Sequence, residues 1–165
     1  MSYSDLEISR NFSAPIEKTY AAFSNPEQLS QWWGPSGFEM EIKTFEFYPG
    51  GMVHFVLRGP NGFDIWAKWV IREIEEPSRL QVINSFSNPV GETVPAPEIP
   101  FGKDWPLEMV MNLEFYQDGD LTRIDLVSFP HQAPEASQKL FSENLSNMQQ
   151  GFKGTFDALE KFLKG

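Results

Sequence analysis

Residues 134–164, PEASQKLFSENLSNMQQGFKGTFDALEKFLK, carry the pattern that decides the fold. After Pro134, which suits a first helical turn, come Phe141, Leu145, Met148, Phe152, Phe156, Leu159 and Leu163, at intervals of four, three, four, four, three and four residues. Alternating threes and fours keep side chains on one side of a helix, so these residues form a single apolar stripe. A stripe of this length needs a partner surface along all of it. The spacing predicts a long carboxy-terminal helix, and the rest of the chain must supply its cover.

Residues 38–129 read as that cover. Phe38, Met40 and Ile42 share one parity and Phe45 and Phe47 the other, which predicts a bulge or bend between them. Pro49-Gly50-Gly51 and Gly59-Pro60-Asn61-Gly62 are turns, and strands are expected over 52–58, 63–75, 79–88, 107–118 and 121–129. Asp118-Gly119-Asp120 is hairpin chemistry, and the short links make the strands an antiparallel meander. Upstream, Leu6, Ile8, Arg10 and Phe12 alternate as in a half-buried strand. Ser13 can cap a helix with Pro15 in its first turn and Ile16, Tyr20 and Phe23 on its apolar face. Asn25-Pro26 opens a short second helix carrying Leu29, Trp32 and Trp33, closed by Gly34-Pro35. The expectation is one α+β domain over residues 1–165: a curved antiparallel sheet around a long carboxy-terminal helix, with two short amino-terminal helices.

Residues 88–106 contain Pro89, Pro95, Pro97, Pro100 and Pro106, with Gly91 and Gly102, which forbids a central strand or long helix there. This stretch is either an ordered surface loop or the lid or rim of a pocket.

Composition narrows the function. The chain has no cysteine, so disulfides, thiolate nucleophiles and cysteine metal sites are excluded. A net charge of −10 with singly scattered basic residues argues against nucleic acid as a partner. There is no signal-peptide pattern at Met1–Glu7 and no apolar run long enough for insertion in a membrane, so a cytoplasmic protein is expected. Aromatic residues make up 15% of the chain and fifteen of them are Phe, so rings dominate whatever interior exists.

Leu29-Ser30-Gln31-Trp32-Trp33-Gly34-Pro35, Phe47-Tyr48-Pro49-Gly50-Gly51 with Phe55 beyond it, and Glu73-Ile74-Glu75-Glu76-Pro77 resemble bacterial proteins similar to the carboxy-terminal domain of the activator of Hsp90 ATPase. Ser13-Ala14-Pro15-Ile16-Glu17-Lys18 and residues 151–163 fit the same pattern. That family belongs to the START-like superfamily, so the resemblance implies the helix-grip fold with a cavity between sheet and long helix. Superfamily members include lipid carriers, polyketide cyclases and aromatases, hormone receptors and resistance proteins, and fold alone does not choose among them. Two features depart from the pattern: Phe152 and Phe156 stand where many relatives have Trp and Leu, and the loop over 88–106 is longer. The resemblance does not reach the amino-terminal Hsp90-binding domain of the eukaryotic activator, so co-chaperone activity is not carried over.

No Gly-x-Ser-x-Gly elbow, Gly-x-Gly-x-x-Gly loop or Walker loop is present, and the two histidines, His54 and His131, lack ligand spacing, so neither cofactor nor metal is expected. Acid–base chemistry of cyclase or aromatase type inside an apolar cavity could draw on His54, Arg58, Asp64, Glu108, Glu114 or Glu143. The stronger expectation is a binding cavity for an apolar or aromatic small molecule. Its candidate lining is Trp32, Trp33, His54, Phe55, Trp66, Trp69, Phe86, Met109, Met148, Phe152 and Phe156, while Gln149 either supplies a polar anchor or, as its place beside the stripe favours, flanks it in water. Trp66 and Trp69, three apart on one strand, should face opposite ways. The same rings could instead fill the core. A protein partner met through the acidic face is the third reading, and the chain could act as a monomer or a homodimer.

Overall fold

A computed structural model describes residues 3–97 and 103–165. Strands β1 (Leu6–Phe12), β2 (Glu39–Phe45), β3 (Met52–Arg58), β4 (Asp64–Glu75), β5 (Arg79–Phe86), β6 (Glu108–Asp118) and β7 (Leu121–Pro130) form one antiparallel sheet in the order β1-β7-β6-β5-β4-β3-β2. Consecutive strands from β2 to β7 are joined as a meander, and β1 closes it by pairing with β7, Leu6 opposite Ser128 and Phe12 opposite Thr122. The parity switch in β2 is a register shift between Ile42 and Thr44.

Helices α1 (Ile16–Ser24) and α2 (Pro26–Leu29) lie between β1 and β2, and α3 (Glu135–Glu143) and α4 (Leu145–Lys164) follow β7. The expected stripe is therefore divided. Asn144 leaves helical geometry (φ −116°, ψ 20°) while its side-chain amide donates to the Leu140 carbonyl at 2.8 Å, the local competition by which asparagine ends helices. Phe141 sits on α3, and the remaining six stripe residues run along α4.

Two further sequence expectations are corrected at the helix ends. Ser13 does not cap α1: its N–H donates to Glu160 on α4 (3.1 Å), and the first helical N–H, of Ile16, is received by the Gln117 side chain of β6 (2.8 Å). The helix start is thus held by tertiary partners in place of a local cap. Asn25 does cap α2, accepting from the Gln28 N–H, but that helix ends at Leu29 and leaves Trp32 and Trp33 in the turn beyond it.

The sheet face toward α4 is the inner face. Arg10 of β1 pairs with Asp157 of α4 at 2.7 Å, and Phe12 meets Phe156 edge-on with centroids 5.3 Å apart. At this end the interior is sealed. Leu80, Val82, Leu113 and Phe115 of the inner face are buried, and Tyr20 and Phe23 of α1 pack edge-on against Phe115. Phe156, Leu159 and Leu163 of α4 close the seal. Truncating Phe156 to alanine removes one of the largest buried side chains and should cost about 3–5 kcal/mol.

The Pro49-Gly50-Gly51 turn ties β2 and β3 to β4, with the Gly50 N–H donating to Ile71 O (2.8 Å) and the Ile71 N–H to Gly51 O (2.9 Å). A Cβ on Gly51 would run into the backbone carbonyl oxygen of Glu46. Backbone cannot yield as a flexible side chain does, so Gly51→Ala should lower stability by at least about 1–3 kcal/mol in urea denaturation. Burial, followed by the charge of Glu76, pushes the Tyr20 phenol up to about 12. Tyrosine in the unfolded chain titrates near ~10, so this contribution is whole below pH ~10 and is lost as pH rises toward about 12. Denaturation midpoints should fall over that window, and Tyr20→Phe should flatten the fall.

Candidate functional site

Along the inner face, burial decreases toward the end of the sheet where β3, β4, β5 and the start of β6 meet. In β5 the inner-facing residues are Leu80, Val82, Asn84 and Phe86; the first two are fully buried and the last two only half-buried. Ile65 of β4 and Met109 of β6 are half-buried in the same way. Leu145, Met148 and Phe152, on the first half of α4, are also incompletely covered. The helix that seals one end of the interior spans a gap at the other.

That gap holds a hollow of about 230 Å³ walled by Trp33, Phe55, Leu57, Ala67, Phe86 and Met109, with Asn84 on its floor and Pro106 and Leu107 at its edge. An adjoining hollow of about 360 Å³ lies against α4, where Met148, Gly151 and Phe152 face Trp33 and Leu57. No Asp, Glu, Lys, Arg or His is among the described residues lining either hollow. The polar residues bordering them are asparagine, serine and threonine, of which Ser85 has outer-face parity. Two larger depressions, of about 520 and 800 Å³, are grooves on the flank of α4, the second bordered by Lys18 and Lys161.

Trp33 separates the two layers. Its ring stands edge-to-face on Trp69 of the sheet at 5.0 Å and on Phe152 of α4 at 6.3 Å, and it lines both hollows. Gly34 delivers it there: φ is +117° at this residue, a region unfavourable to any Cβ, and an added Cβ would lie 3.1 Å from the Leu57 side chain. Pro35 follows at the rim.

Of the residues singled out in the sequence, the structure brings Trp33, Phe55, Phe86 and Met109 to the inner hollow and Met148 and Phe152 to the adjoining one. Trp69 is fully buried behind Trp33 and Phe55. Phe156 belongs to the sealed end, packed on Phe12. Trp32 turns away, its indole N–H donating to the Ala22 carbonyl at 3.1 Å. Gln149 is exposed.

His54 and Trp66 face the other side of the sheet. Strand alternation requires this, since each has the opposite parity to Phe55 or Trp69. Trp66 stacks obliquely beside His54 (5.3 Å), with the charges of Arg58 and Lys43 about 5.9 and 6.0 Å from its ring. His54 Nε2 lies 3.1 Å from Ser87 Oγ and 3.2 Å from the Asn88 carbonyl. A carbonyl only accepts, so Nε2 carries the proton and cannot serve as base for Ser87.

The carboxylates considered for acid–base work also miss the hollow. Asp64 and Glu41 bind Arg58 on the outer face, and their hydrogen bonds hold that guanidinium above its ordinary value. Glu108 and Glu114 have the outer parity of β6, and Glu143 is exposed on α3. Among the described residues no group of three or more His, Asp or Glu could hold a metal ion.

The proline-rich loop divides. Its first part folds over the outer face, with Ser87 bridged to Thr93, the Asn88 side chain accepting from the N–H groups of Val90 and Glu92, and Lys68 donating to Gly91 O at 2.9 Å. Among the described residues of the loop, its end serves the hollow: Pro106 and Leu107 line the edge, and Trp105 packs on Phe141 of α3 at 5.8 Å. Pro100 and Gly102 lie outside the described residues.

The sequence reading passed over Leu57, Ala67 and Asn84. All three could have been found by parity, being two residues from Phe55, Trp69 and Phe86 on their strands. Asn84 carries the sharper signal, since it is the polar member of the alternating set Leu80, Val82, Asn84, Phe86.

A curved antiparallel sheet that grips a long carboxy-terminal helix, sealed at one end and hollow at the other, defines a protein of the helix-grip class. The chain belongs to the family of activator of Hsp90 ATPase homolog 1-like proteins, whose model matches residues 13–164. Solved structures share the fold. A protein from Arthrobacter aurescens is 23% identical with a TM-score of 0.76 over 96% of this chain and 84% of its own. One from Staphylococcus epidermidis is 21% identical with a TM-score of 0.76 over 99% and 92%. One from Mycobacterium smegmatis is 21% identical with a TM-score of 0.73 over 96% and 90%. Comparison with curated proteins gives no match. No helix among the described residues is long and apolar enough to cross a membrane.

Because Gly34 sets the entry of Trp33, Gly34→Ala should cost about 1–3 kcal/mol in denaturant unfolding and weaken the near-ultraviolet circular dichroism of the packed indoles.

Proposed function

We propose that this chain binds or carries an apolar or aromatic small molecule in the hollow beneath the first half of α4. One observation carries the reading: the inner face is mostly apolar and buried, yet among the described residues Ile65, Asn84, Phe86 and Met109 stay half-buried around a hollow that Phe55 and Leu57 also line. Apolar surface that a fold leaves unsealed gains roughly 25 cal/mol per Å² when a ligand covers it. Concave apolar sites with few polar groups are the usual form of small-molecule sites.

The cyclase or aromatase alternative needs an acid or base held at the reacting atom. None of His54, Asp64, Glu108, Glu114 or Glu143 faces the hollow, so binding without chemistry is the better account of these residues. Nothing on the outer face favours a particular protein partner.

The test is a titration with N-phenyl-1-naphthylamine, a neutral fluorophore that brightens in apolar surroundings. Saturable binding with one site per chain is expected. Ala67→Phe and Met109→Trp, which place bulk in the hollow, should each weaken it at least about tenfold, while Trp66→Phe on the outer face should not. Non-saturable fluorescence, or affinity indifferent to both filling variants in folded protein, would contradict the proposal.

A further inference from the structure

We infer that the ligand of this hollow is an uncharged amphiphile, with one hydrogen-bonding head at Asn84 and an apolar chain beside Gly151 of α4; this rests on the binding function proposed above. The observation is a difference in polarity between two neighbouring spaces. The inner hollow and the one against α4 share Trp33, Pro35 and Leu57 in their walls, so they adjoin along that edge. The inner one, at about 230 Å³, is smaller than the roughly 300–1,000 Å³ of most small-molecule pockets, and a ligand of ordinary size seated in it extends into the other.

Asn84 marks the polar end. It has inner-face parity, lines the inner hollow and is half-buried. Its side-chain amide makes no hydrogen bond among the described residues, although those of Asn88, Asn112, Asn144 and Asn147 all do. A ligand that covers Asn84 strips this amide of water, and the loss is recovered only if the ligand brings a hydrogen-bonding group. An amide both donates and accepts, so a hydroxyl or carboxamide head answers it. A carboxylate or ammonium head would lose its hydration and meet no countercharge, since no ionisable side chain is among the described lining of either hollow.

Gly151 marks the apolar end. In the hollow against α4 the polar side chains are already engaged: the Thr155 hydroxyl donates to the Gly34 carbonyl at 3.4 Å and the Asn147 amide to the Asn144 side chain at 3.0 Å. Gly151 lies in the wall between them, three residues after Met148 and four before Thr155 on one face of the helix. Proline excepted, glycine is the poorest helix former, and packing does not demand it here, because a Cβ at 151 would meet no neighbouring atom within 4 Å. Helix stability is given up for open space that belongs to the hollow, and a longer side chain would occupy it. Gly154 is equally open but lines neither hollow.

The experiment uses the full chain with hexan-1-ol, octan-1-ol and decan-1-ol, and octanoate as the charged counterpart, affinities being read by calorimetry. Affinity should rise about three- to fourfold with each added methylene, the gain for burying one CH₂. Octanoate should bind at least about tenfold more weakly than octan-1-ol, because its charge is not matched. In Gly151→Leu, a change that favours helix, decan-1-ol should lose at least about tenfold while hexan-1-ol changes by less than about twofold. Gly154→Leu should leave the whole series as it is. Asn84→Leu should weaken every alcohol about three- to tenfold, the ratio that neutral hydrogen bonds provide, without changing the dependence on length. Octanoate binding as tightly as octan-1-ol, a length dependence untouched by Gly151→Leu, or alcohols indifferent to Asn84→Leu would overturn the inference while leaving a binding hollow in place. Binding of N-phenyl-1-naphthylamine without any alcohol would do the same, and failure of that probe and the alcohols alike would remove the binding function with it.

Discussion

The interior of this protein depends on the position of one ring, that of Trp33, between the sheet and α4. Packed edge-on between Trp69 and Phe152, it keeps the first half of the helix from settling onto β3, β4 and β5. Farther along α4 no such spacer intervenes, and Phe156, Leu159 and Leu163 reach the core and are fully buried. One helix therefore does two things with one apolar stripe. Its second half contributes stability by burial, and its first half roofs a hollow.

That division explains why the turn around Trp33 is so constrained. The short helix α2 ends at Leu29, Trp32 anchors to the Ala22 carbonyl, and Gly34 takes a backbone conformation closed to other residues, which together aim Trp33 inward. The close packing of Gly34 against Leu57 ties the same turn to β3, a wall of the hollow. Residues that set the fold and residues that shape the site are thus the same residues over this stretch.

Much of the fold was legible in the sequence because it rests on periodicity. The α4 stripe, the parity switch in β2, the glycine turns and the meander all follow from spacing, and each is present. What escaped the sequence depends on tertiary partners. Asn144 breaks the stripe through a bond to Leu140, and α1 is capped by Gln117 from a strand about a hundred residues away. The site was half legible. Aromatic and apolar identity pointed to Trp33, Phe55, Phe86 and Met109, but ring character equally pointed to His54 and Trp66, which alternation places outside. Asn84 escaped because a lone asparagine in a strand has no signature until its neighbours on the same face are known to be apolar. The proline-rich loop escaped in part, since composition marks a loop without showing that its first half crosses the outer face.

The account turns on where a ligand lodges, and methyl-detected NMR during titration with N-phenyl-1-naphthylamine tests that most directly. Progressive shifts at Leu57, Ile65, Ala67, Met109 and Met148, with Leu80, Val82 and Leu113 at the sealed end unmoved, are the predicted result. Shifts centred on Met52 and Val56 of the outer face, or none anywhere at saturating probe, would contradict it.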